Sequence, residues 1–198
     1  MTAPPRRRGR PGHDVSTVLA GAVEVFNERG FDGTSMEDLA QRLGISKSAI
    51  YHHVDGKDAL LGLALDHALA GLEAAVDGVR RLDAPAVARL ERLVRDSVAV
   101  LVDRLPYVTL LVRVRGNSEV ERQALARRRR IDRAAAALVR EAVEQGDLRP
   151  DVDSAATARL LFGMVNSLTE WLKPRGRPDA GALADAIAIV AFDGLRRR

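Results

Sequence analysis

Apolar residues recur at three- and four-residue spacing along nearly the whole chain, without the apolar and polar alternation typical of strands. A spacing near 3.6 residues is typical of helices that bury one face. Glycine and proline divide the pattern into segments, and serine or aspartate precedes several apolar runs as an N-cap. The sequence therefore predicts an all-α protein with helices over 15–29, 36–43, 47–54, 57–81, 83–104, 107–115, 118–145, 154–173 and 180–195.

Residues 35–54 combine two short predicted helices with a Leu-Gly-Ile-Ser turn, the arrangement of a helix-turn-helix motif. In the second helix, Ala49, Ile50 and Val54 are spaced to pack against Leu39 and Leu43 of the first. The polar residues left on its outer side suit contacts with phosphates and base edges: Lys47, Ser48, Tyr51 and His52. Pairs of short helices are also common in ordinary helical packing, so the motif alone leaves that alternative open.

The composition of the chain excludes several kinds of chemistry. Without a cysteine among 198 residues, it can hold neither a disulfide, nor Cys-ligated zinc, nor a thiol nucleophile. His52 and His53 are adjacent, and adjacent residues on a helix point about 100° apart, so they cannot chelate one ion as an i, i+4 pair can. The sequence has no glycine-rich phosphate loop and no nucleophile motif of common enzymes. We therefore expect a protein that is not an enzyme and needs no metal or other cofactor.

Positive charge is concentrated at the N-terminus. The whole chain has 31 lysines and arginines against 27 acidic residues, a net charge of only +4. Residues 1–13 contain four arginines, are rich in proline and glycine, and are predicted to form a flexible arm. Such an arm suits a phosphate backbone or a minor groove, although a solvated tail without a role has the same composition; its arginines are Arg6, Arg7, Arg8 and Arg10.

The sequence does not predict a secretion signal or a membrane span. The N-terminal arginines are followed by polar residues at 14, 16 and 17 rather than by the apolar segment of a signal peptide. The apolar stretch 98–112 is interrupted by two charged residues and Pro106, whereas a span needs about 20 nearly uninterrupted apolar residues. We therefore expect a soluble cytoplasmic protein.

Several features between residues 15 and 61 occur together. Phe26 and Gly30-Phe31 close the first helix, and Thr34-Ser35 open the second. The turn and the residues after it complete the set: Leu39-Ala40, Leu43-Gly44-Ile45-Ser46, Ile50-Tyr51-His52-His53-Val54, Lys57 and Leu60-Leu61. This set resembles the TetR family of bacterial transcriptional regulators. The family usually has phenylalanine where Val54 stands, and because that position packs inward, the change leaves the DNA contacts untouched.

The resemblance implies a homodimer that binds double-stranded operator DNA. It implies a three-helix DNA-binding domain over 14–56, with a recognition helix at about 47–53, and a helical ligand-binding and dimerisation domain over 57–198. Lys57 also stands at a helix N-terminus, where its ammonium group and free backbone N–H groups can meet one phosphate. The implied phosphate contacts are Thr34, Tyr51, His52 and Lys57, the implied base contacts are Ser46, Lys47, Ser48 and Ala49, and Ser35 completes the predicted DNA-binding set.

Two predicted C-terminal helices carry apolar residues on more than one side. In 154–173 the main apolar row has a neighbouring row of Leu160, Met164, Ser167 and Trp171, and 180–195 contains small residues that allow close helix approach. Either both faces are buried within the monomer, or the helices form a four-helix bundle between two copies. We expect the dimer, because a single helix-turn-helix binds DNA weakly, with an interface of Ala158, Leu161, Val165, Leu168, Leu183, Ile187, Val190 and Gly194.

The resemblance also implies an effector cavity in the C-terminal domain, whose occupation releases a palindromic operator. Apolar and aromatic residues with one amide are the candidates to line it, ordinary core packing being the alternative for each: Leu101, Leu105, Tyr107, Leu110, Leu111, Val114, Phe162, Asn166 and Trp171. Segment 166–176 is similar to a pattern in regulators of fatty-acid, steroid and aromatic-acid breakdown that respond to acyl-CoA thioesters. The arginines of 113–133 suit CoA phosphates, although a solvated helix face is the favoured interpretation. The expected effector is a small hydrophobic molecule, with acyl-CoA as one candidate.

Two other functions fit part of the sequence. An architectural DNA-binding protein would use the basic arm and the dimer to bend DNA without any effector. A helical carrier would hold a hydrophobic ligand and use its N-terminal helices only for packing. The predicted function is an effector-released repressor, which differs from the first alternative in ligand release and from the second in operator binding.

Overall fold

The structure of the protein, a computed structural model, describes residues 14–173 and 179–195. All regular secondary structure within these ranges is helical, which confirms the predicted all-α class: α1 (Val15–Arg29), α2 (Met36–Leu43), α3 (Lys47–Tyr51), α4 (Lys57–Arg80), α5 (Ala86–Asp103), α6 (Leu105–Arg113), α7 (Glu119–Glu144), α8 (Ser154–Trp171) and α9 (Ala180–Leu195). The basic arm at 1–13 lies outside the described residues, as do residues 174–176 of the segment similar to acyl-CoA-responsive regulators.

Most helix ends follow caps that are present in the sequence. Asp14 caps α1, and the hydrogen bonds that it accepts from Thr17 hold the pKa of its carboxyl down to about 2. Ser118 and Asp153 cap α7 and α8 through their side-chain oxygens. The predicted spans of α1, α2 and α9 are therefore confirmed to the residue.

Other predicted boundaries are wrong by a few residues. Helix α3 ends at Tyr51 rather than at 54, and α8 ends at Trp171 rather than at 173. Pro106 does not precede α6 but lies in its first turn, where the missing N–H has no helical partner to lose. Helix α5 begins at Ala86 instead of 83: Pro85 is its N-cap, and the Ala86 N–H donates a hydrogen bond to Gln145 Oε1 at 2.9 Å.

The chain forms two compact units, one up to Leu61 and one from Gly62 onward. The predicted boundary lies between residues 56 and 57. The first turn of α4 belongs to the N-terminal unit because Leu60 and Leu61 are fully buried. Lys57 also donates hydrogen bonds to carbonyl oxygens of the loop between α1 and α2.

In the C-terminal unit, α5 packs against α7, α8 and α9, and α7 packs against α8. Helices α4 and α5 approach closely at Gly71, where an added methyl carbon would lie 2.8 Å from Val100 Cγ1. Among the described helices, α4 is long and apolar enough to cross a membrane. Its Leu65 and Leu69 are nevertheless no more than 1% exposed, so burial in the protein accounts for its apolar character.

The loop before α7 is organised by one buried carboxylate. Glu121 is 5% exposed. Its Oε2 accepts backbone hydrogen bonds from Gly116 at 2.6 Å, Asn117 at 2.7 Å and Arg115 at 3.3 Å. One side chain therefore satisfies three consecutive donors that have no helix to join.

Replacing this carboxylate tests its role in the loop. Glu121→Ala should lower the free energy of unfolding by about 1–3 kcal/mol, because it leaves partly buried N–H groups without acceptors. Glu119→Ala is the matched control: this exposed residue pairs with Arg122 on the surface and should leave stability unchanged. Urea unfolding followed by circular dichroism measures both, and equal losses would contradict the role of Glu121.

Candidate nucleic-acid interface

Helix α2 is fixed against α1 by close packing and by ion pairs. A methyl carbon added at Gly21 of α1 would lie 2.3 Å from Leu43 Cδ2 of α2, so a larger residue here would force the Leu43 side chain to shift. Arg42 in the last turn of α2 pairs with Glu28 at 2.9 Å. Arg29 of α1 pairs with Asp38 in the first turn of α2 at 3.0 Å. The two helices thus form a firm base for the segment that follows.

Local signals in the sequence fix the turn between α2 and α3. Gly44 adopts a left-handed conformation with φ +63°, which ends α2 and lets the Ile45 N–H bond to Ala40 O at 3.2 Å. Ser46 then opens α3 by accepting a hydrogen bond from the Ala49 N–H at 3.2 Å. Two caps separated by one residue set the angle at which α3 leaves α2.

Helix α3 has five residues, too few to be stable alone, and it is held by apolar anchors. Ile50 is 0% exposed and Val54, just beyond the helix, is 7% exposed, as their spacing predicted. The opposite side is open, with Tyr51 48% exposed. We call the exposed polar residues on this side the recognition face: Lys47, Ser48, Tyr51 and His52.

The recognition face offers a mixture of charge and hydrogen-bonding groups. The Lys47 ammonium lies 3.4 Å from Glu37, and both side chains are well exposed, so this pair is weak and easily exchanged for a phosphate. The hydroxyls of Ser46 and Ser48 lie 3.0 Å apart and share a hydrogen bond. With the Tyr51 phenol, these groups provide donors and acceptors of the kind that read base edges and hold phosphates.

Two predicted phosphate contacts are used inside the N-terminal unit instead. Thr34 is 2% exposed, and its hydroxyl donates to Gly30 O at 2.7 Å, so it offers no surface to a phosphate. Lys57 Nζ donates to Phe31 O at 3.1 Å and to Thr34 O at 3.0 Å, and lies 4.4 Å from the centre of the Phe31 ring. Its ammonium group therefore ties α4 to the α1–α2 loop, a role for which the sequence holds no signal.

The remaining predicted DNA contacts differ in their exposure and in their hydrogen bonds within the protein. The Ser35 hydroxyl is exposed but forms a capping box with Asp38, whose pKa is held below its usual value by hydrogen bonds from Ser35. Ser46 is exposed, and Ala49 is half-buried beside it. The arginines of the arm lie outside the described residues.

The predicted effector residues converge only in part. A cavity of about 20 Å³, roughly the room of one water molecule, includes Leu111, Phe162 and Asn166 in its lining. Arg128 and Asp132, which are not among the predicted effector residues, line it as well. The prediction is wrong for Trp171, which is 56% exposed. The other predicted residues are buried or half-buried in the core of the C-terminal unit: Leu101, Leu105, Tyr107, Leu110 and Val114.

The predicted dimer interface is wrong for α8. Its four residues are at most 2% exposed because they face the core of their own unit: Ala158, Leu161, Val165 and Leu168. On α9, Leu183 and Ile187 are half-buried, whereas Val190 and Gly194 are exposed. The large apolar side chains that remain exposed on these helices form what we call the apolar patch: Leu160 at 70%, Trp171 at 56%, Ile189 at 60% and Val190 at 71%.

Comparison with known proteins identifies the two units. Residues 18–64 match the family model of bacterial regulatory proteins of the tetR family, and residues 83–195 match the tetracyclin repressor-like C-terminal domain. The chain belongs to the TetR family. This confirms the predicted helix-turn-helix domain and helical C-terminal domain. The protein is therefore a transcriptional regulator, and its family consists of regulatory proteins rather than enzymes.

Three relatives illustrate the similarity. The crystal structure of SCO3833, a TetR regulator from Streptomyces coelicolor A3, has 50% sequence identity and a TM-score of 0.85, covering 93% of this chain and 94% of that one. AibR, solved in complex with isovaleryl coenzyme A and operator DNA, has 27% identity and a TM-score of 0.75, covering 89% of this chain and 97% of that one. The repressor KstR2 of Rhodococcus jostii strain RHA1 is 25% identical over 207 residues, 98% of each chain.

Substitutions of the two lysines of the N-terminal unit should have different effects on its stability. Lys57→Met should lower the free energy of unfolding by about 1.5–3 kcal/mol, because it removes charged hydrogen bonds to two carbonyl oxygens. Lys47→Ala, at an exposed site, should leave the unfolding transition unchanged. Guanidinium unfolding of both variants measures the difference. A Lys57→Met protein as stable as the unsubstituted one would show that the hydrogen bonds of Lys57 to Phe31 O and Thr34 O do not stabilise the unit.

Proposed function

We propose that the protein is a homodimeric, cytoplasmic repressor that binds a palindromic operator and is released from it by a small hydrophobic effector. The observation that carries this proposal is the recognition face, held on a capped and buried helix pair in a chain that matches TetR models over 18–64 and 83–195. The proposal includes no enzymatic activity, metal or other cofactor.

The recognition face would enter the major groove, as the second helix of a helix-turn-helix does. Lys47 and Ser48 are at the N-terminal end of α3, the end that contacts base edges in such motifs. Tyr51 and His52 would hold flanking phosphates, with Ser46 and Ala49 close by and the arm arginines at 6, 7, 8 and 10 reaching the backbone or the minor groove. Thr34 and Lys57 are not part of the proposed DNA interface, since both form hydrogen bonds within the N-terminal unit.

The apolar patch supports dimerisation through the outer faces of α8 and α9. Several large apolar side chains exposed on two neighbouring helices are typical of interaction surfaces. Helices α8 and α9 contact each other within the monomer, so two copies joined here would form a four-helix bundle. A two-fold axis through the bundle would present two recognition faces to the two halves of a palindrome.

An effector can release DNA only if it binds the DNA-incompetent arrangement more tightly than the competent one. A useful switch needs a coupling free energy of about 1–3 kcal/mol. The cavity lined by Leu111, Phe162 and Asn166 is its proposed place, and an occupant larger than water must displace side chains there. The similarity to AibR, solved with isovaleryl coenzyme A, supports an acyl-CoA as the effector.

Operator binding tests the recognition face. In a mobility-shift titration at fixed salt on the DNA upstream of its own gene, Lys47→Ala and Tyr51→Phe should each weaken binding about tenfold or more, because each removes a base or phosphate contact. Lys173→Ala, an exposed lysine at the other end of the chain, is the control and should bind normally.

Three results of the titration would count against the proposal. Unchanged binding by both variants would show that α3 does not read the operator. Equal binding to scrambled DNA would favour an architectural protein. A protein that binds neither DNA would be better explained as a carrier.

The oligomeric state tests the apolar patch. Val190→Asp should convert the dimer to monomers in sedimentation experiments, because it places a charge in the buried centre of the proposed bundle. Leu82→Asp is the matched control, since Leu82 is also exposed, at 44%, but lies beyond the end of α4. A Val190→Asp protein that stays dimeric would place the interface elsewhere.

A further inference from the structure

The arginines of the C-terminal unit fall into two groups. Arg89, Arg95 and Arg127 each form an ion pair with a carboxylate on another helix. In the ranges that the structure describes, six arginines of α7 and α8 form no ion pair within 4.0 Å: Arg128, Arg129, Arg130, Arg133, Arg140 and Arg159. Where arginines without such an ion pair lie together, their guanidinium groups are suited to bind an external anion.

Three of these arginines line one groove between α7 and α8. Arg129 and Arg133 are four residues apart and so share a face of α7, and Arg159 reaches the same groove from α8. The groove has a volume of about 180 Å³, with a lining completed by Asp132, Ala136 and Ala155. Three guanidinium groups against one carboxylate give it an excess of two positive charges.

The groove adjoins the small cavity of the proposed effector site. Asp132 lines both of them, and Arg128, Phe162 and Asn166 belong to the cavity side. Burial raises the pKa of Asp132, while Arg128 and Arg159 act in the opposite direction. A ligand with one apolar end and one anionic end would therefore span the two spaces across Asp132.

We infer that the groove of Arg129, Arg133 and Arg159 binds the phosphate-bearing end of the effector, whose apolar end enters the adjoining cavity. The ligand class is an acyl chain joined to a phosphorylated head group, as in a coenzyme A thioester. Arginine suits this task because its planar guanidinium binds phosphate oxygens in pairs. A free fatty acid carries a single carboxylate and would leave most of this charge unused. The inference rests on the proposed effector function and adds the place and chemistry of the head group.

Isothermal titration of the full-length protein tests the groove. The probes are isovaleryl-CoA and octanoyl-CoA, each compared with its free acid. Arg133→Gln and Arg159→Gln should each weaken thioester binding about tenfold or more, since a charged hydrogen bond is lost, and should leave free-acid binding unchanged. Arg140→Gln is the matched control, because Arg140 is an exposed arginine of α7 that does not line the groove.

A second variant distinguishes the loss of an anion contact from damage to the fold caused by removing an arginine. Asp132→Asn takes the one negative charge out of the groove and should tighten thioester binding several-fold, a gain that damage to the fold would not produce. Thioester binding that is unchanged in both arginine variants, or no tighter than that of the free acids, would overturn the inference. If no thioester binds at all, both this inference and the proposal of an acyl-CoA effector are wrong. The proposal that the protein is a repressor is tested separately, by the mobility-shift titration.

Discussion

Helix α4 contributes buried residues to the hydrophobic cores of both units, and both units depend on it. Its first turn buries Leu60 and Leu61 in the N-terminal unit, and Lys57 fastens that turn to the α1–α2 loop. Beyond Gly62 the same helix continues with Leu65 and Leu69 buried. Since a helix is a stiff element, a displacement of its C-terminal part reaches its first turn, which is what the proposed effector mechanism requires.

The recognition helix shows why much of the N-terminal unit is predictable from sequence. A helix of five residues cannot hold itself, so its position depends on Ile50 and on caps at its boundary. Ser35, Gly44 and Ser46 are local signals whose meaning depends on neighbouring residues alone, and each has the predicted role. Where apolar spacing and caps agree, the polar remainder is correctly assigned to the open side.

The errors lie where the outcome depends on distant parts of the chain. Helix α8 has two apolar rows, and nothing within 154–173 says which of them meets α5 and α7. The structure turns Leu161 and Val165 inward and leaves Leu160 outside. The same holds for Lys57, which on sequence grounds is equally suited to a phosphate and to a carbonyl oxygen brought near by folding. Local pattern limits the possible faces, and tertiary contacts choose between them.

The arginine run of α7 is the clearest case of such a choice. Its sequence suggests a uniform solvated face, but adjacent helical residues point about 100° apart. Arg127 faces α4, where its hydrogen bond with Glu73 raises the pKa of its guanidinium and it also pairs with Asp66. Arg128 faces the small cavity and Arg129 faces the groove. An anion drawn to the unneutralised arginines would thus act on the helix that Arg127 ties to α4, which gives the proposed effector a short physical route to the DNA-binding unit.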